Sequence, residues 1–328
     1  MYPSFFKNLG QLKISEIKKL INCRVLNIDD NEEFYDFVST NDIKENSITF
    51  SYDNENNENL KNTETQNFAI ICSEKKAEKL SASYKLLIVK DVHDAVAISS
   101  TFFYRDLNKK EIEELNDPFI GANPSISKYS HIDKGVFIGD NVTIDDGAII
   151  KHGCVIGNGT KIESNSVISN SIIGENVRVG PNTSIGQQGF GFSINKNKNK
   201  NIFHIGRTIL KKNSSIGSNC TIDRGSFSDT IIGENTFFDN QCHVAHNVQI
   251  GRNCVFAGMT GIAGSTIIGN GVLAGGQVGI SGHLKIGNNV QIAAKSAVYQ
   301  NISDNEVIMG IPAVNKYKFL KNVKKIYG

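Results

Sequence analysis

The sequence predicts a left-handed parallel β-helix, preceded by a small α/β domain and followed by a short basic helical tail. The main reason is periodic. An aliphatic residue returns at every sixth position: Ile126, Ile132, Ile138, Ile144, Ile150, Ile156, Ile162 and Ile168 keep perfect register, and Ile173, Val179 and Ile185 continue it after a one-residue slip. Past an interruption the register runs from Ile232 through Phe238, Val244, Ile250, Phe256, Ile262, Ile268, Ala274, Ile280, Ile286 and Ile292 to Val298. The next residue is often glycine, as at Gly139, Gly157, Gly233, Gly251, Gly269 and Gly287, and the residue four on is small, as at Ser130, Ala148, Cys154, Thr160 and Ser166. Such a period fits neither a helix nor a two-faced strand. It marks short parallel strands wound around a triangular prism, with the aliphatic residue inside and Gly, Asn or Asp at the corners. Six-residue sides imply the left-handed winding, an exception to the usual crossover.

Residues 1–117 lack the period and read as a separate α/β domain. Ser15 is expected to cap a helix through Ile17, Leu20 and Ile21. Asn67–Cys72 and Lys85–Val89 have buried-strand patterns, with helices expected over Ser73–Leu80 and His93–Phe103. Strand–helix–strand order implies a parallel or mixed sheet. The Asn/Glu-rich run Asp53–Asn67 reads as a mobile loop, and Glu111–Leu115 leads to Pro118 and the linker. The prism should span residues 118–309, interrupted at 187–204 by Gln188-Gly-Phe-Gly-Phe192, a Lys/Asn-rich tip and Phe203-His-Ile-Gly-Arg207. So long an insertion in a tight coil points to function or disorder. Arg224-Gly-Ser-Phe227 should bulge a corner, and residues 310–328 form the tail carrying Lys316, Lys318, Lys321, Lys324 and Lys325.

Composition narrows the class. Aromatic residues are 8% of the chain and Trp is absent, as suits a core of stacked Ile and Val. The formal net charge of +2 gives no basic field to argue for nucleic acid. Six cysteines (Cys23, Cys72, Cys154, Cys220, Cys242 and Cys254) show no paired spacing, which suits a reducing compartment. No apolar run is long enough for a signal peptide or a transmembrane segment, so a cytoplasmic location is expected. A prism leaves flat β-rich faces uncovered, and by analogy of architecture a homotrimer is the expected assembly.

Seven histidines are present, and His93, His131, His152 and His204 read as ordinary polar surface residues. The cluster Asp239-Asn-Gln-Cys-His243-Val-Ala-His246-Asn247, with His283 further on, is the one to weigh. Counted from the inward Val244 and Ile280, His246 and His283 both project outward, about 10 Å apart along one face at the usual strand spacing. They form either a catalytic line or two polar face residues. His243-x-x-His246 could suggest zinc, but the register points the two rings apart, so no metal is expected.

Asp239-Asn-Gln-Cys-His-Val-Ala-His-Asn-Val-Gln-Ile-Gly251 closely resembles the active-site coil of the UDP-3-O-(3-hydroxyacyl)glucosamine N-acyltransferases of lipid A synthesis. So do Gln188-Gly-Phe-Gly-Phe192 ahead of Ile205-Gly-Arg207, Cys220-Thr-Ile-Asp-Arg-Gly225, and Gly310-Ile-Pro312. The likeness extends over most of the chain, including the first domain. It implies transfer of a 3-hydroxyacyl chain from acyl carrier protein to the 2-amine of a UDP-3-O-acyl-glucosamine. No resident cofactor is implied, since 4'-phosphopantetheine arrives on the donor. Position by position, the resemblance makes His246 the general base, Asp239 the carboxylate that orients it, Gly264 N–H the oxyanion donor and His283 a substrate-positioning group. It extends substrate contact to Asn240, Gln241, Phe190 and Phe192. The chemistry agrees, because an imidazole with a reference pKa near ~6.5 can take the proton of an attacking amine near neutrality.

Departures from the pattern fall mostly in the first domain. Phe50 keeps the aromatic expected to stack on uridine, but Asp53 and Asn56 fill the slots of the usual Asn and Tyr, and Tyr52 could replace the missing ring. His243 stands where the family commonly has Gln. The basic tail could dock an acidic carrier protein. Ala293, Ala294 and Ala297 could end an acyl groove roomy enough for a long chain. A related N-acyltransferase acting on another nucleotide-linked amino sugar, with an acyl-CoA donor, is the alternative reading.

Overall fold

The structure is a computed structural model describing residues 5–54, 58–61, 63, 65, 67–80, 84–194 and 199–327. Asn56 lies outside the described residues.

The first part of the chain builds a mixed sheet. In order come β1 (Phe6–Asn8), β2 (Leu12–Lys13), α1 (Ile14–Ile21), β3 (Arg24–Leu26), β4 (Glu33–Phe34), β5 (Asp36–Phe37), β6 (Ser47–Phe50), α2 (Glu58–Lys61), β7 (Phe68–Cys72), α3 (Glu74–Ala77), β8 (Lys85–Ile88), α4 (Val92–Phe103), β9 (Tyr104–Asp106) and α5 (Lys109–Glu113). Five strands line up as β3-β8-β7-β6-β5, antiparallel only between β3 and β8. All five residues of β7 are buried, because α1 and α4 cover one face and Leu60, Leu80 and Leu86 fill the other. Ser15 lies inside α1 and does not cap it. The amides of Ile14 and Ser15 are taken instead by the carbonyls of Glu32 and Asp30, and Glu16 accepts the Lys13 N–H. Helix α3 stops after one turn where a longer helix is expected; Ser73 Oγ caps it by accepting the Lys76 N–H at 3.0 Å.

From Phe119 the chain winds as a solenoid of three sheets, of nine, eleven and nine strands, parallel throughout except that Val314–Asn315 pairs antiparallel with Val307–Met309 at the end of the second. Each strand pairs with the one three sides later, so Ile126 lies on Ile144, Ile132 on Ile150 and Ile138 on Ile156. The six-residue column forms the interior: Ile138, Ile150, Ile156, Ile162 and Ile168 are fully buried. Each such side chain contributes about 1.5–3 kcal/mol on leaving water. The corners adopt left-handed φ, mostly at Asn residues such as Asn141, Asn165 and Asn219. Their short polar side chains tolerate that region better than most.

Two insertions give the prism its special features. The loop expected over residues 187–204 begins later: Gln187 and Gln188 stay in the prism, paired with Asp223 and Arg224, and beyond them Phe192–Ser193 runs antiparallel to Lys200–Asn201 and packs on α4. Lys200 Nζ reaches Asp94 at 2.8 Å, and Phe203 N–H donates to Ser100 Oγ at 3.0 Å. The bulge Arg224–Phe227 sends the Phe227 ring into the first domain, edge-on to Phe37 and Phe50 at 5.1 and 5.2 Å between centroids. These contacts fix the α/β domain beside the coil that carries His246. At the far end α6 (Lys316–Tyr327) lies exposed along most of its length. Among the described residues, no helix is long and apolar enough to cross a membrane.

Candidate active site

His246 follows the strand His243–Val244, at the corner where that sheet hands over to the next. Val244 points inward and is buried, so two residues on His246 turns outward and is half-buried. Its Nδ1 lies 2.9 Å from Asn247 Oδ1 and 3.4 Å from Ser226 Oγ. The Asn247 amide cannot flip: its Nδ2 donates to Ser228 O and Oγ at 3.2 and 2.9 Å, while Oδ1 accepts the Ser226 N–H at 3.0 Å. An oxygen that can only accept therefore faces Nδ1, which carries the proton and leaves the Nε2 lone pair free.

The ring lies over the coil below. Gly264 stands eighteen residues after His246, and a Cβ there would come within 2.9 Å of His246 Cε1 and Nε2. Only glycine gives the imidazole this seat. The Gly264 N–H donates to no acceptor among the described residues. At the corner between the other two sheets such amides are capped from the next coil, as Arg252 N–H is by Asn270 Oδ1 and Asn270 N–H by Asn288 Oδ1. The residue that would cap Gly264 is Gly282, which has no side chain to do so. An open amide beside an unprotonated nitrogen suits a reaction that sheds a proton and gathers negative charge on oxygen.

A groove of about 520 Å³ runs from this point down the outer face of the sheet, lined by Phe190, His243, His246, Gly264, Ala297 and Tyr299 among others. Its floor is a ladder in register, His243 to Gly261 to Gly279 to Ala297. A Cβ built on Gly261 or Gly279 would meet nothing within 4 Å, so the trough is open because these residues lack side chains. Phe190 overhangs it, 83% exposed and edge-on to Phe192 at 4.6 Å. Phe192 itself sits in the hairpin and not among the lining residues. His243 Nδ1 approaches Thr221 Oγ1 at 2.7 Å, and its Nε2 lies 3.9 Å from Asp223. Burial raises the Asp223 carboxyl above the usual carboxylate range, against the pull of His243 and His246.

Several expected residues stand elsewhere. Within the chain, no hydrogen bond joins Asp239 to His246 among the described residues. Asp239 accepts the Gly258 N–H at 3.2 Å at a different corner. Seven residues is one side of the prism plus one, so the two side chains leave different edges. Asn240 and Gln241 share the Asp239 corner. Asn240 Oδ1 caps Ser218 N–H at 2.8 Å and Gln241 takes a φ of 61°, so both build the turn rather than the groove. Of the three expected small residues, only Ala297 lines the groove. His283 is exposed at a left-handed corner, with φ 60°, two coils beyond His246. Phe50 is packed against Phe37, Tyr52 and Phe227; Tyr52 is stacked on His93 at 4.3 Å; and Asp53 accepts from Ser73 Oγ. None of the three lines the groove beside His246. Among the described residues, no group of three or more His, Cys, Asp or Glu could hold a metal ion.

The sequence reading missed Asn247, Ser226 and His204. Asn247 was in plain view beside His246. Ser226 belongs to the bulge, whose odd length hides its destination. His204, expected at the surface, is fully buried, with its ring 5.3 Å from that of His246. Burial, the nearby His246 and the Arg224 guanidinium push its pKa down to about 3. Its folded pKa is thus below its unfolded value of 6.5, so its neutral state stabilises the fold fully above about pH 6.5, and that stability is lost as pH falls toward about 3. Unfolding titrations of wild type should lose about 1.4 kcal/mol per pH unit through this window from His204 alone, and His204→Gln should show a shallower acid limb.

Comparison with known proteins agrees with the architecture. The family described as bacterial transferase hexapeptide (six repeats) matches residues 229–264, and the GMPPB C-terminal domain matches residues 115–194. A protein of Rickettsia akari (strain Hartford), named UDP-3-O-acylglucosamine N-acyltransferase, is 48% identical over 130 residues, covering 40% of this chain and 38% of that protein. A Rhizobium johnstonii protein of the same name is 52% identical over 66 residues, 20% of this chain and 19% of its own. The matched segments are thus well under half of either relative. Among solved structures, the UDP-N-acetylglucosamine acyltransferase from Campylobacter jejuni aligns with a TM-score of 0.54 and 26% identity, over 62% of this chain and 79% of that one. The chain is therefore a hexapeptide-repeat β-solenoid whose homologues are named N-acyltransferases.

Proposed function

We propose that the protein moves a 3-hydroxyacyl chain from the phosphopantetheine thioester of acyl carrier protein to the 2-amine of UDP-3-O-acylglucosamine, with His246 as general base. The observation that carries this reading is an imidazole with Nδ1 committed to Asn247 and Nε2 left free over Gly264, at the head of a groove floored by Gly261, Gly279 and Ala297. The names of the relatives support the substrate class.

In this reaction the sugar nitrogen attacks the thioester carbon and its proton passes to His246 Nε2. Asn247 Oδ1 holds the Nδ1–H of the resulting imidazolium, the part first expected of Asp239. Negative charge on the carbonyl oxygen meets the open Gly264 N–H. The C–S bond then breaks, the proton leaves with the thiol of the carrier, and His246 returns to its starting form. His283, further along the same corner, helps to position the substrate. Phe50 and Tyr52, with Asp53 nearby, are the groups proposed to meet the uridine nucleotide.

The trough gives the acyl chain its place. Successive rungs lie about 4.8 Å apart, so the path from Gly261 to Ala297 is roughly 10 Å. Each methylene buried there gains about 0.8 kcal/mol, but only where space exists. Ala297→Met should therefore shift preference toward shorter donors in a competition between acyl carrier proteins loaded with chains of different length; an unchanged product ratio would put the chain elsewhere.

The assembly proposed is a homotrimer. Phe237, Val255 and Leu273 stack in register on the outer face of another sheet, each more than 40% exposed, and such a strip suits burial against a second copy. The carrier protein is proposed to dock near α6, whose lysines run from Lys316 to Lys325. Reversing three of these charges should raise KM for carrier protein and leave kcat nearly unchanged. The direct test of the function offers the purified protein 3-hydroxyacyl carrier protein and UDP-3-O-acylglucosamine, then looks for amide product and free carrier thiol. Absence of the amide product would remove the proposal.

A further inference from the structure

Behind His246 stands an imidazole that the proposed reaction does not use. His204 Nδ1 accepts the Gly189 N–H at 3.2 Å, so the neutral ring carries its proton on Nε2 and donates it to Ser226 Oγ at 3.1 Å. Ser226 faces the Nδ1 side of His246 twice. Its Oγ lies 3.4 Å from that nitrogen, and its backbone N–H holds the Asn247 oxygen that accepts the Nδ1 proton. Arg224, buried and stacked over the Phe6 ring at 5.2 Å, donates from Nε to the His204 carbonyl at 3.1 Å.

The loop has the shape this packing needs. A Cβ on Gly191 would fall 2.4 Å from His204 Nε2, and one on Gly189 would fall 2.7 Å from His246 Cβ and 3.1 Å from His204 Cε1. The two glycines let the insertion close over both rings, which meet edge to face at 68°. Removing the His204 ring would free the Ser226 side chain to rotate and open space behind His246.

We propose that His204 is a positioning residue: by fixing Ser226 and packing edge-on against His246, it holds the base ring in one orientation and one tautomer, with Nε2 toward the groove. The proposal deepens the reading of His246 as the base and rests on it for its meaning in catalysis, but its physical content can be measured without substrate. His204→Leu removes both polar contacts. His204→Gln retains an acceptor for Gly189 N–H and a donor for Ser226 Oγ.

The experiment is 15N NMR of histidine-labelled full-length protein, free of substrate, beside acyl-transfer kinetics. Wild type should show the His246 signals of an Nδ1–H tautomer. In His204→Leu they should move to a tautomer mixture and kcat should fall about tenfold, part of the ~10²–10⁴-fold that a positioned base supplies, with KM for both substrates unchanged. His204→Gln should restore the wild-type signals and most of kcat. If His204→Leu does not fold, Ser226→Ala, which removes a single oxygen, should produce the same shift in the His246 signals. Unmoved His246 signals in the folded His204→Leu protein, or in Ser226→Ala where that variant stands in, would overturn the proposal, as would a fall in kcat with wild-type signals. A shifted tautomer in a protein with no acyl transfer would uphold the positioning role and remove only the proposed function.

Discussion

Replacing His246 with alanine should lower kcat for acyl transfer by about 10²–10⁴-fold, the range a positioned general base contributes. The fold should survive. The ring is half-buried at a corner, and its contacts to Asn247, Ser226 and Gly264 lie outside the Ile and Val column that forms the interior. The inward neighbour Val244 stays in place, so thermal unfolding should shift little. The loss should fall on kcat more than on KM, because proton removal belongs to the transition state and not to binding. Steady-state kinetics with 3-hydroxyacyl carrier protein would measure it. A fall of less than tenfold would mean that the proton leaves by another route.

Gly264→Ala should be nearly as damaging, and for a purely geometric reason. The new methyl would arrive 2.9 Å from His246 Cε1 and Nε2, closer than real carbon contacts allow. The ring cannot tilt away freely, because Nδ1 is held by Asn247 and Gly189 closes over its Cβ. A shift of about 1 Å in a reacting group can cost roughly 10²-fold, and that loss in kcat is expected here. Gly279→Ala provides the contrast. Its methyl would enter open groove with nothing within 4 Å, so it should alter the preferred acyl chain and leave the rate with a fitting donor nearly intact. Equal losses in the two variants would show that the damage comes from the glycine backbone and not from the imidazole seat.

Much of this site could be read along the chain, because a prism turns sequence distance into position. Once Ile232 and Phe238 reset the six-residue period, Val244 had to point inward and His246 outward. Gly264, one coil on, had to lie beneath His246. The same arithmetic sets Asp239, seven residues earlier, at a different corner of its own chain, where it accepts the Gly258 N–H. The resemblance to a family suggested the pairing; the geometry gave the orienting contact to Asn247.

What the chain alone determined about this protein is therefore everything that repeats: the interior column, the strand register and the outward placing of His246. Tertiary structure decided what does not repeat. From Ile185 to Leu210 the chain advances 25 residues, and from Ile222 to Ile232 ten, neither a multiple of six, so counting cannot say where His204, Ser226 or Phe227 will land. Their places come from packing: the hairpin on α4, Phe227 among Phe37 and Phe50, and His204 beneath two glycines. Periodic segments carry their coordinates in their spacing, whereas an irregular loop is placed only by the surfaces it meets.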